Sequence, residues 1–191
     1  AEYYRTDFLK QTIVDIDSDI REVKFYDLNG KSYSNNYQIE LAYQPIDRLD
    51  LSAAIRFTDV KANYGDELLI KPLSSKYKGL LTLSYSTLES GWLFDSSFLL
   101  NGNGRIPSTK QNPVEYQREE SFPAYLTVNA QITKKIEMLD IYLGVENLTN
   151  YKQDNPIIAA DDPFGNYFDA SMIWGPIDGT KFYLGVRLSV L

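Results

Sequence analysis

The side chains able to do chemistry fall into two sets. One is spread along alternating segments, each member beside an apolar residue: Glu40, Asp50, Arg56, Asp95, Asp140, Glu146 and Arg187. Such residues hydrate or pair within an enclosed polar space. Arg56 and Arg187 stand apart, because a guanidinium fork matches a carboxylate, and they are candidate ligand contacts. The second set is crowded into one long polar stretch: Asp154, Asp161, Asp162 and Asp169. Calcium takes carboxylate oxygens of this kind, but the spacing lacks the Asp-x-Asp-x-Asp-Gly order. The mixture with Asn, Pro and Gly reads as turns in a solvated loop, so no metal site is expected. Phe164, Tyr167, Phe168 and Trp174 share that stretch. They either clamp a ligand or pack the loop, and the sequence leaves both open.

Catalysis finds no support. The chain has no histidine and no cysteine, which removes the commonest general base and the thiolate nucleophile. Neither an enzyme nor a cofactor is expected. Asn101-Gly-Asn-Gly-Arg105 is glycine-rich, but a phosphate cradle needs a helix N-terminus next. Here Pro107 and polar residues follow, so a flexible loop is expected. The net charge of −7 excludes nucleic acid as a partner, since phosphate binding needs a basic surface.

These residues must be positioned by strands. No run of about 18 apolar residues exists, so no membrane helix is expected. Period-two alternation instead marks about eight strands: residues 3–17 (the least regular), 33–44, 49–59, 77–87, 92–101, 124–134, 139–148 and 180–191. In the last, Phe182, Leu184, Val186, Leu188 and Val190 form one apolar row. Short turns at 45–48, 88–91 and 134–138 alternate with long polar connections at 18–32, 60–76, 102–123 and 149–179. Transmembrane β-barrels show this asymmetry, with short periplasmic turns and long extracellular loops. The 15 Tyr, nine Phe and two Trp fit it, because amphipathic rings anchor at a membrane–water interface. Tyr37, Tyr43, Tyr85 and Trp92 sit near strand ends as girdle candidates. A mean hydropathy of −0.32 is compatible, since a barrel strand meets lipid only at every second residue.

A soluble sheet with one buried face would also alternate, as would a lipocalin-like barrel or a sandwich. Strands of about 10 residues, against about 5–6 in soluble sheets, favour the membrane reading, as do the polar second faces. An open sheet edge is not tolerated in lipid. The strands therefore either close on themselves, as a complete eight-stranded barrel with a structural or adhesive role, or belong to a larger barrel.

Gly144-Val-Glu-Asn-Leu-Thr-Asn-Tyr151 resembles the Gly-x-x-Asn-Leu-x-Asn segment near the C-terminus of TonB-dependent outer-membrane receptors. Phe182-Tyr-Leu-Gly-Val-Arg-Leu188 resembles their closing strand. Tyr3-Tyr-Arg-Thr-Asp-Phe8, Ser32-Tyr-Ser-Asn-Asn-Tyr-Gln-Ile-Glu-Leu41 and Pro123-Ala-Tyr-Leu-Thr-Val-Asn129 fit the family's order of strands. The resemblance implies that residues 1–191 are the C-terminal part of a barrel of about 22 strands. The plug domain, the TonB box and about fourteen earlier strands would lie outside them. The absence of a signal-peptide pattern leads to the same expectation, unless a leader has been removed. The resemblance further implies the bacterial outer membrane, lipid around the wall, and contacts with the protein's own plug, with TonB and with a small-molecule ligand. A ferric siderophore comes first, then haem, cobalamin or oligosaccharide, with a surface lipoprotein as a further partner. One departure concerns the end of the chain: the outward row stops at Val190, and Leu191 falls on the other parity, where the family often ends in an outward aromatic.

Overall fold

The computed structural model describes residues 1–19, 22–87 and 89–189. Its strands are β1 (Glu2–Asp7), β2 (Thr12–Asp15), β3 (Lys24–Asp27), β4 (Ser32–Ile46), β5 (Leu49–Tyr64), β6 (Glu67–Ile70), β7 (Tyr77–Ser86), β8 (Trp92–Asn101), β9 (Gly104–Arg105), β10 (Ser121–Phe122), β11 (Tyr125–Ile136), β12 (Leu139–Glu146) and β13 (Lys181–Leu188). The one helical element among the described residues is a 3-10 turn at Val114–Tyr116. One antiparallel sheet takes the order β1-β4-β5-β7-β8-β11-β12-β13, with β6 extending β5, and two small sheets pair β2 with β3 and β9 with β10.

The register puts the apolar residues on a single face. Leu41 lies opposite Ala53, Ala53 opposite Leu81, Leu81 opposite Phe98 and Phe98 opposite Val128. Ile132 faces Leu143, and Leu143 faces Leu184. Since side chains alternate across a strand, the row between is polar: Ser52, Thr82, Ser97 and Asn129 follow one another across four strands. Among the described residues nothing covers the apolar face. Phe182, Leu184, Val186 and Leu188 are all exposed, Leu184 by 73%. Val190, expected in the same row, lies outside the described residues, as do Leu191 and Leu88 of the expected turn at 88–91.

Aromatic rings bound this face at both ends. Tyr3 stacks on Tyr37 and Phe57 meets Tyr77 toward the long connections. Tyr85, Phe94 and Trp92 stack toward the short turns, where the Lys134 ammonium sits 4.9 Å above the Trp92 ring. On the polar face β12 and β13 lock by a reciprocal joint. Both carry Tyr-Leu-Gly-Val, and pairing sets Tyr142 opposite Gly185 and Gly144 opposite Tyr183. A Cβ on Gly144 would stand 2.1 Å from the Tyr183 ring, and one on Gly185 2.2 Å from Tyr142. Each glycine thus leaves room for the ring across from it.

Three expectations are corrected. The first strand does not run to Asp17. Consecutive Phe8 and Leu9 break the alternation, β1 ends at Asp7, and the chain turns into the β2–β3 hairpin. Half of the 60–76 connection is strand, because β5 continues to Tyr64 and pairs with β6. The segment 101–105 is not a free loop. Gly104 pairs in β9 under the Phe122 ring, where a Cβ would meet that ring at 2.3 Å and the Ser74 carbonyl at 2.4 Å.

The closure needed by a self-contained eight-stranded barrel is not found. β1 pairs with β4, β13 pairs with β12, and among the described residues no ladder joins β1 to β13.

Candidate functional site

The long connections gather at one end of the sheet and carry the core that the sheet lacks. Ile106, Phe122, Ile158, Ala159 and Met172 form one buried cluster, with Tyr116 and Trp174 packed against it. Phe122 and Trp174 stack face to face, centroids 5.0 Å apart and planes at 9°. Tyr125 and Tyr151 stack at 4.7 Å, and Tyr116 and Tyr167 at 5.5 Å.

Amide side chains tie the ends of the 149–179 loop together. Asn147 holds a left-handed backbone, φ 51°, which Asn tolerates better than most residues. Its Nδ2 donates to the Tyr151 carbonyl at 2.7 Å and the Asp178 carbonyl at 3.1 Å. Its Oδ1 accepts from the Tyr151 amide, and its own amide donates to Asn129 Oδ1 at 2.9 Å. Asn150, also left-handed at φ 52°, accepts from the Thr180 amide. Deeper in the loop, buried Gln153 accepts from the Trp174 and Gly175 amides and donates to the Met172 carbonyl at 2.9 Å. The Asn-Leu-x-Asn segment is therefore a clasp that joins the last loop to the wall.

A second tie joins the earlier loops. The Arg105 guanidinium grips Asp17 with two hydrogen bonds, 2.7 and 2.8 Å, and donates to the Ile70 carbonyl at 2.7 Å. In the β2–β3 hairpin Asp15 accepts from Ser18, from the Asp17 amide and from the Tyr26 hydroxyl. Burial pushes the Asp15 carboxyl up, but these hydrogen bonds outweigh it and hold it below the usual carboxylate range. Burial, with Asp154 nearby, pushes the Tyr151 phenol up.

Two hollows open against Trp174. The outer, about 450 Å³, lies between the loops and is lined by Arg118, Glu119, Tyr151, Asp154, Asn155 and Trp174 among others. The inner, about 290 Å³, lies on the polar face and brings Arg56 together with Lys78, Asn101, Tyr125 and Trp174. Two of the residues singled out by sequence, Arg56 and Trp174, thus meet. The others do not join them. Tyr167 packs on Tyr116, and Phe168 is partly exposed. Phe164 stands 99% exposed at a loop tip. Arg187 lies opposite Asp140, at the short-turn end of β13.

The loop acids make turns. The Asp162 carbonyl accepts from the Gly165 amide, and Asp169 Oδ1 accepts from the Ser171 amide. Among the described residues no three carboxylates converge on a metal position. Sequence reasoning missed Lys78 and Gln153. Lys78 had a signal, since it falls on the polar parity of its strand. Gln153 had none, because its role depends on how the loop folds back.

No family model and no curated protein matches the chain, but solved structures do. The ferric enterobactin receptor of Pseudomonas aeruginosa superposes with a TM-score of 0.63 at 12% identity, covering 98% of this chain and 28% of that one. The copper transporter OprC gives 0.65 at 14%, with 98% and 28% covered. The ferric-catecholate import receptor Fiu of E. coli K12 gives 0.63 at 15%, with 96% and 24% covered. The chain spans about a quarter of the length of these receptors. The antiparallel meander of this chain superposes on these receptors over nearly its whole length: its fold is that of a stretch of the barrel wall of a TonB-dependent outer-membrane receptor.

Proposed function

We propose that residues 1–191 are the C-terminal part of the barrel of a TonB-dependent receptor in the bacterial outer membrane, and that the whole protein imports a scarce ligand. A ferric siderophore is the first reading, because receptors named for ferric siderophores recur among the structural relatives. Haem, cobalamin and oligosaccharide are the other ligand classes. The segment supplies lipid-facing wall, lumen lining and outer loops. It carries out no chemistry, and the work of transport falls to the plug and to TonB, which are reached through parts of the protein outside these residues. A surface lipoprotein is a further partner at the loop end.

The observation that carries this reading is the inversion of the sheet. A continuous apolar face bounded by aromatic rings stands uncovered while the opposite face is polar, and only lipid suits such a face. The open sheet adds to it, since an edge exposed to lipid requires further strands.

The test is accumulation of labelled ligands in cells lacking the gene. The panel is ferric siderophores, haem, cobalamin, copper and oligosaccharides. Uptake of one ligand is expected to fall to background, and to fall equally in cells lacking TonB. Unchanged uptake of every ligand, or uptake that persists without TonB, would overturn the proposal.

A further inference from the structure

The inner hollow is lined by cations and by neutral polar groups. Its lining includes Asn36, Arg56, Thr58, Ser74, Ser75 and Lys78, and it contains no carboxylate. This is unexpected in a chain with 26 acidic and 19 basic residues. Arg56 and Lys78 are direct partners in the β5–β7 register, and like charges facing each other across two strands destabilise a sheet. The row they occupy runs Glu2, Gln38, Arg56, Lys78, Asn101, Tyr125, and its one acid, Glu2, stands two strands away from Arg56 with Gln38 between them. Among the described residues neither cation forms an ion pair. The carboxylate two residues along β4, Glu40, is engaged by the Gln38 amide.

We infer that Arg56 and Lys78 form a binding site for an oxyanion group, a carboxylate or phosphate, on an acidic ligand entering from the loop end. The chemistry is complementary. Arg56 offers a planar fork and Lys78 a point charge, and each suits anionic oxygen. Ser74, Ser75, Thr58 and Asn101 add neutral hydrogen-bonding groups. Trp174 and Tyr125 form part of the lining, so aromatic surface is available to the body of the ligand. Occupation by an anion would also relieve the repulsion between the two cations. The inference rests on the proposed function only for the direction of approach. The two can fail separately, because the test measures binding rather than uptake.

The experiment uses the full-length protein in detergent and follows tryptophan fluorescence during titration with citrate and, separately, inorganic phosphate. Trp174→Phe shows which part of the signal comes from the hollow. Wild type should give a saturable change that weakens as salt is raised. Either Arg56→Gln or Lys78→Gln should raise the midpoint roughly tenfold, the loss expected for one charge-assisted contact. The unliganded variants should melt at or above the wild-type temperature, since one of two facing cations is gone. A saturable response to neither probe would overturn the inference, as would midpoints that neither substitution moves. Unliganded variants that melt lower, in a protein deaf to both anions, would also overturn it, because a carboxylate of the protein itself would then hold the pair.

Discussion

Leu184 and Ile158 are both large aliphatic residues, and they obey opposite rules. Leu184, in the middle of β13, is 73% exposed, while Ile158, in the last long loop, is 1% exposed. The same contrast divides the molecule. In the wall the apolar side chains point away from the protein and the polar ones point inward. In the loops one cluster of apolar side chains packs inward, as in a water-soluble domain, although Val114 and Phe164 stay exposed. A single solvent cannot stabilise both arrangements, since an apolar face of this extent in water is an association surface. The boundary between the two regions lies near the ring of Tyr3, Tyr37, Phe57 and Tyr77, where amphipathic rings belong.

The sharpest way to break this comparison is to place a charge on each face of one strand. Leu81 belongs to the outward row between Ala53 and Phe98, and its neighbour Thr82 faces Ser52 and Ser97. Leu81→Arg is expected to cost about 2–4 kcal/mol on folding into lipid vesicles, the cost of a cation near the bilayer midplane. Thr82→Arg should stay within about 0.5 kcal/mol, as a change on a wet surface does. Denaturant titration in vesicles measures both. Equal penalties at the two positions would mean that the outward face does not meet lipid.

The alternation that makes this prediction possible was legible in the sequence, because a period of two survives whatever the strand packs against. The strand expected at 92–101 has those bounds in the structure, and Leu41, Leu81, Phe98 and Leu184 lie on the expected outward parity. The first strand was not legible beyond Asp7, since the departure into the β2–β3 hairpin depends on contacts that Asp15 makes with Ser18 and Tyr26. The loops were legible as loops but not as a folded layer. Ile158 lies in the short apolar run Pro156-Ile-Ile-Ala-Ala160 and Met172 beside Ile173 and Trp174, runs with no strand or helix periodicity, and they become a core only because Phe122 arrives from another loop. The clasp was visible as a pattern at 144–151. Its work was not, because Asn147 and Asn129 are brought together only by the pairing of β11 with β12. Arg56 stands out in the sequence by its guanidinium alone. The cation facing it could be found only from the register.

The loop core should respond as a soluble core does. Ile158→Ala is expected to cost the layer about 2–3 kcal/mol, near the low end for deleting buried methylenes because a cluster this small is able to collapse. Cleavage by protease within 149–179 should accelerate, while the melting of the wall stays unchanged. Leu184→Ala, on the outward face, should leave the loop cleavage rate alone. If Ile158→Ala lowers the melting of the wall as much as it speeds cleavage, the two regions are one cooperative unit and the division fails.

Asn147→Ala tests how the regions are joined. The side chain is buried and donates to two carbonyls, so its removal leaves buried groups unsatisfied at about 1–3 kcal/mol. Ala also tolerates the left-handed backbone less well than Asn. Cleavage near 149–179 should rise, by less than in Ile158→Ala. Asn147→Asp keeps an acceptor for the Tyr151 amide but loses the donor, so it should fall between Ala and wild type. Equal rates for the Ala and Asp variants would assign the clasp to the donated bonds alone.

The smallest effect concerns pH, and it separates the first loop from the wall. The folded Asp15 carboxyl is held below its ordinary value. A depressed acid contributes stability above its unfolded pKa of about 3.9, and that contribution is lost as the pH falls through the folded value. The β2–β3 hairpin should therefore open in acid while staying closed at neutral pH. Amide exchange read at Ile13 and Tyr26 should quicken as the pH drops below about 4, beyond the intrinsic change in exchange rate. Amides of Leu81 and Phe98, a pair that lies three positions along its ladder from Asp95, should show only the intrinsic change. Asp15→Asn keeps an acceptor but removes the titration. Its hairpin should be weaker at neutral pH and indifferent to acid. A hairpin that opens in acid equally with and without Asp15 would show that this carboxylate is not what closes it at neutral pH.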